Sequence, residues 1–177
     1  MTWKAFQLNP DAPETPTSKV QMYMQKFGRS RQDVLAMSEG MGQKFAAAGL
    51  PHAFTEKALV SNTMDSHRVL AWAAADSPEA QDAAMERLFH GYFAEEKSPN
   101  DVEVLVDACV KAGKPEADAR KFVADKSAMR REVLAELQAA RGRGVRGVPH
   151  FVITKPGARP VEISGAQPPS AFERALR

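Results

Sequence analysis

From residue 17 to about residue 142 the apolar positions recur with helical spacing almost without interruption. Val20, Tyr23, Met24 and Phe27 fall at i, i+3, i+4 and i+7, and Gly28 closes that segment. Val34, Met37, Met41 and Phe45 stripe a second helix running to Gly49, and Pro51 to Lys57 reads as a loop. Asn62 is placed to cap a third helix, with Asp65 three residues on and Leu70, Ala71 and Ala74 facing inward. Ser77-Pro78 puts a cap and then a proline at the first helical position of a fourth, striped by Met85, Leu88, Phe89 and Tyr92. Ser98-Pro99 repeats the device ahead of Val102, Leu105, Val106 and Cys109. Two more helices follow, around Ala119, Phe122 and Val123 and around Met129, Val133, Leu134 and Leu137. Arg141 to Gly144 ends the run.

The two ends of the chain follow another period. Residues 3–8 put Phe6 and Leu8 on one face and Trp3, Ala5 and Gln7 on the other, the pattern of a strand covered on both sides. Asn9 to Pro13 and Pro16 break it. At the other end Gly144 and Gly147, then Val148-Pro149, precede a β-branched run, so a tight loop feeds a strand over 150–154. A turn through Lys155 to Ala158, a partner strand over 161–164 and a last helix follow, with Ser170 and Glu173 at capping-box spacing. The order is strand, about seven helices, strand, hairpin partner, helix. That suits an α/β fold with a helical insertion, and an all-helical bundle with a small hairpin explains the periodicities nearly as well.

Composition narrows the function. At 177 residues the chain has room for a real core, with 44% hydrophobic and 26% charged residues. A net charge of +2 without long like-charge runs argues against nucleic-acid and membrane-surface roles. No apolar stretch approaches a membrane span, and the N-terminus lacks a signal-peptide core, so a cytoplasmic location is expected by default. Cys109 is the only cysteine, which excludes an intrachain disulfide. It sits on an apolar helical stripe and reads as a small core hydrophobe. The four histidines (His52, His67, His90, His150) show no metal-ligand spacing, so no metal is expected. His67 reads as a packed or surface helical residue, and the methionines, mostly at helical spacing, as core filler.

The stretch Gly144 to Ile153 carries the chemistry. Proline at a strand mouth donates no ladder hydrogen bond, and Val148 before it is pushed to extended geometry. On these residues alone an ordinary trans proline is the simpler reading. The stretch resembles the cis-proline loop of the thioredoxin superfamily, specifically the DsbA family and its FrnE-like branch. Trp3 to Pro10, Asn62-Thr63 with His67-Arg68, Leu88-Phe89 with Tyr92-Phe93, and Ser164 to Pro168 match that branch in order.

The resemblance implies a thioredoxin-like domain in two segments (1–15 and 143–177), with a helical insertion domain over 16–142. It implies protein disulfide oxidoreduction on peptide or protein thiol and disulfide substrates. It also implies that the backbone of Val148, before a cis Pro149, pairs with the bound peptide, and that Gly147 allows close approach. His150 could face the same groove, although a partly exposed strand-start histidine is the simpler reading. Gln167 stands where glutathione-dependent isomerase relatives carry an acidic residue, which weakens a glutathione role. One departure matters most: the family's first strand and Cys-x-x-Cys helix are absent, so the chain as written is expected to be inactive as a dithiol oxidoreductase and no catalytic residue can be named. Either about 30 further residues precede Met1, about the size of a βα unit, or the segment is lost. The alternatives are then a non-catalytic peptide- or partner-binding module and a glutathione-dependent isomerase or transferase relative. The gap left between strands 3–8 and 150–154 leads to the expectation of a homodimer or domain swap that completes the sheet, or of a frayed N-terminal strand.

Overall fold

The computed structural model describes residues 1–177. Seven helices fill residues 19–142: α1 (Lys19–Phe27), α2 (Arg31–Ala47), α3 (Met64–Ala74), α4 (Pro78–Phe93), α5 (Val102–Lys111), α6 (Glu116–Ala124) and α7 (Arg130–Gly142). A two-residue ribbon, β1 (Thr17–Ser18) with β2 (Leu59–Val60), ties the start of α1 to the loop before α3. The chain ends in an antiparallel hairpin, β3 (His150–Ile153) and β4 (Val161–Ser164), followed by α8 (Pro169–Leu176).

Most helix boundaries follow from short polar side chains. Ser18 accepts from the backbone N–H of Gln21, Ser30 and Asp33 form a capping box, and Ser77 accepts from Ala80 N–H with Pro78 in the first turn. Asn62 accepts from Met64 N–H at the head of α3. Two expected caps are corrected. Asp101, not Ser98, starts α5 by accepting from Glu103 and Val104 N–H, because Ser98 donates its hydroxyl to Asn100. No side chain caps α8, whose N-cap is Pro168, so Ser170 lies inside the helix.

Helices α3 to α6 enclose the main core, which includes Val69, Leu70, Ala84, Leu88, Leu105, Cys109, Phe122 and Val123. Gly91 lets α4 and α5 meet: a Cβ there would lie 2.8 Å from Val104 Cγ1. Arg68 is 1% exposed on α3, yet each of its three guanidinium nitrogens donates a hydrogen bond. It donates to the carbonyls of Phe122, Asp125 and Ala128 and pairs with Asp65 at 2.8 Å. A cation thus covers the negative C-terminal end of α6 and its open carbonyls. Burial pushes the Asp65 carboxyl up, but Lys126 and Arg68 overcome this and hold it below its usual value.

Helices α1 and α2 are the exception to the stripe rule. Only Lys19, Val20 and Val34 are buried there, and Met37 and Met41, expected in the core, are about half exposed. The spacing made a face, but it is covered only at Val34 and at Phe45, whose ring packs on Phe93 of α4. Residues 3–8 are corrected too: they form no strand. A strand needs a neighbouring backbone, and none is present, so side chains take its place. The Gln81 amide both accepts from Trp3 N–H and donates to Trp3 C=O, at 2.9 Å each, as a strand neighbour would. Glu136 accepts from Ala5 N–H at 2.9 Å, and Ala5 is buried against Val133 and Leu137. Leu8 is 68% exposed, so the segment is not covered on both sides.

Candidate functional site

The C-terminus of α7 sets the geometry of the loop. Gly144 adopts φ +77, Val145 N–H reaches back to Ala140 C=O (3.1 Å) and Gly144 N–H to Arg141 C=O (2.9 Å), a Schellman closure. It turns the chain sharply out of the helix and into Arg146-Gly147-Val148-Pro149. The Val148–Pro149 peptide is cis, and Val148 is 47% exposed. A Cβ built on Gly147 would meet nothing within 4 Å, so open space lies before that backbone.

The hairpin register decides which backbone groups are free. Gly165 N–H donates to Pro149 C=O at 2.8 Å, and His150 lies opposite Ser164. Hydrogen-bonded pairs alternate in an antiparallel ladder, so Pro149, Phe151 and Ile153 face β4. The N–H and C=O of His150 and Val152 therefore point to the other edge, and those of Val148 also find no partner in the chain. The result is an open row of backbone donors and acceptors, Val148, His150 and Val152, entered through the proline loop.

The expected site residues divide accordingly. Gly147, Val148 and Pro149 lie together on the loop, and His150 adds its backbone to the edge. The His150 ring is turned elsewhere: its side chain is 13% exposed, with Nε2 3.4 Å from Glu162 Oε2 on β4 and in no hydrogen bond. Gln167 opens onto another depression, of about 490 Å³, shared with Lys155, Glu162 and Arg174.

A second cleft, of about 340 Å³, adjoins the loop between the N-terminal segment and α7. Phe6, Gln7, Pro10, Leu137, Arg141, Val145 and Arg146 line it. The sequence placed these residues in separate elements and did not join them as a site, although Arg141-Gly-Arg-Gly-Val-Arg146 was a visible signal. Behind the cleft His67 Nε2 lies 3.1 Å from Phe6 C=O. A carbonyl only accepts, so Nε2 carries the proton, and burial lowers the ring's pKa below its ordinary value. Cys109 is far from this chemistry in character: it is 1% exposed, and burial pushes its thiol up to about 11. No helix is long and apolar enough to cross a membrane.

A family model, the DSBA-like thioredoxin domain, matches residues 1–177. The chain belongs to that family. Among solved structures, this DSBA-like chain is similar to the crystal structure of a probable DsbA oxidoreductase from Streptomyces coelicolor. The two share 31% sequence identity with a TM-score of 0.84, over 98% of this chain and 72% of that one. No curated protein matches the sequence significantly. The α/β thioredoxin fold with its helical insertion is thereby shown for this chain, and protein thiols and disulfides are the substrates that its family acts on.

Proposed function

We propose that this DSBA-like chain binds the polypeptide partner of a thiol–disulfide reaction by strand addition along the Val148–Val152 edge, and that these 177 residues do not perform the exchange themselves. The observation that carries the reading is the unshared backbone of Val148, His150 and Val152 on an exposed loop and edge. Strand addition takes its affinity from main-chain hydrogen bonds and its selectivity from alternate side chains. Exchange requires an exposed thiolate, and the one thiol here, Cys109, is buried and kept protonated. A glutathione-dependent reaction gains no comparable support, since Gln167 offers an uncharged amide and no carboxylate for the ligand's amino group.

Hydrogen exchange on the full chain, with and without a saturating extended peptide, tests the binding. The amides of Val148, His150 and Val152 should slow on peptide addition, and unchanged exchange there would refute the reading. Insulin reduction by dithiothreitol should run no faster with the chain than without it. Acceleration would remove the non-catalytic half of the proposal. A rise in mass with concentration, with the same amides protected in the absence of peptide, would make a second copy the strand donor.

A further inference from the structure

Between Leu137 and Val161 the chain carries Arg141, Arg143, Arg146, Lys155 and Arg159 and no Asp or Glu. Elsewhere carboxylates outnumber lysines and arginines, so the small net charge conceals a strongly divided molecule. None of these five cations forms an ion pair, whereas Arg68, Arg87 and Arg120 are each paired with carboxylates. Two of the five, Arg141 and Arg146, project into the cleft beside Phe6, Leu137 and Val145. Val148 follows Arg146 by two residues, at most ~7 Å of extended chain. An open backbone edge and an apolar cleft fringed by free guanidiniums therefore lie end to end.

We infer that the segment paired at this edge is acidic: an extended polypeptide with an apolar side chain for the cleft and Asp or Glu within reach of Arg141 and Arg146. The inference rests on the strand-addition reading and adds the substrate class to it. Guanidinium forks match carboxylates in two-point geometry, and like charges on the partner would be repelled, so the same groups attract one class and reject another. The strip also draws an acidic partner in from a distance, an effect that salt weakens.

Three labelled peptides without cysteine, sharing one apolar centre and flanked by Glu, Gln or Lys, test this by fluorescence anisotropy with the full chain. At low ionic strength the Glu-flanked peptide should bind about tenfold tighter than the Gln-flanked one, and the Lys-flanked one weaker still. The gap should close as ionic strength rises from about 0.02 to about 0.3 M. Arg141→Gln with Arg146→Gln should abolish the preference, and Arg141→Lys with Arg146→Lys should retain most of it. Equal affinities of the Glu- and Gln-flanked peptides at low salt overturn the inference and leave strand addition standing. If none of the three binds, both readings fall. If a single-stranded RNA oligonucleotide displaces the Glu-flanked peptide at lower concentration than that peptide itself, the strip serves nucleic acid and the inference is overturned.

Discussion

The helical block and the β3–β4–α8 tail are built from similar side chains and end in opposite states. Around α3 to α6, fourteen buried residues form one continuous core, and even an arginine is enclosed with all three guanidinium nitrogens donating. The tail contains Phe151, Ile153, Ile163, Phe172 and Leu176, yet none of its residues is buried. Its one aromatic contact is Phe151 edge-on to Phe172 at 4.8 Å. Four helices can cover one another; a hairpin with one short helix covers only one side of itself. The difference places rigidity in the block and an unfinished sheet edge in the tail. A surface left with open hydrogen-bonding groups is one that can accept another backbone.

The largest test of that contrast is Arg68→Ala. It strands the carbonyls of Phe122, Asp125 and Ala128 and leaves Asp65 with Lys126 alone, so urea unfolding should show a loss of about 3–5 kcal/mol. Next come paired truncations in the two regions. Leu105, 0% exposed, should lose about 3–4 kcal/mol on Leu105→Ala, whereas Phe172→Ala should lose only about 1 kcal/mol because its ring is already partly in water. Equal losses would mean that the tail is as well covered as the block.

A smaller effect probes the margin of the block. Lys19 is 5% exposed, with Nζ 3.7 Å from the Tyr92 ring centre, and burial lowers its pKa from 10.5 to about 8 although Glu96 opposes the shift. Between those two values the unfolded chain binds more protons than the folded one, so the lysine's contribution to stability rises as pH rises. Unfolding free energy should therefore climb by about 1.5 kcal/mol from pH 8 to about 9.5 relative to Lys19→Met, and show no such difference in slope below pH 7. The smallest expected change is none at all. Cys109 in the native chain should react with a thiol reagent at neutral pH at least ~100-fold more slowly than in guanidinium, at a rate set by opening of the block.

Periodicity alone found the seven helices, their approximate limits and the terminal hairpin, because 3.6-residue stripes and turn residues are local properties of the chain. Ser77-Pro78 named its helix start for the same reason. Local pattern could not tell how far a face would be covered: Met37 and Met41 have core spacing and are about half exposed, and residues 3–8 alternate like a strand but find no strand to pair with. Their partners, Gln81 and Glu136, lie 78 and 131 residues away along the chain. Ser98 and Ser170 failed as caps because capping depends on where a hydroxyl points, which spacing does not fix. The loop at Gly147 to Pro149 was legible as a motif. An open edge on the strand behind it was expected from the resemblance, but not which of its groups are free, since the direction of each N–H is set by the β3–β4 register. Composition made Arg141 and Arg146 visible, but only tertiary structure put them beside Phe6 and Leu137. Sequence thus determined the helices and the terminal hairpin, because those are decided within a few residues. Tertiary structure decided which surfaces stay open, because that depends on residues far away in the chain.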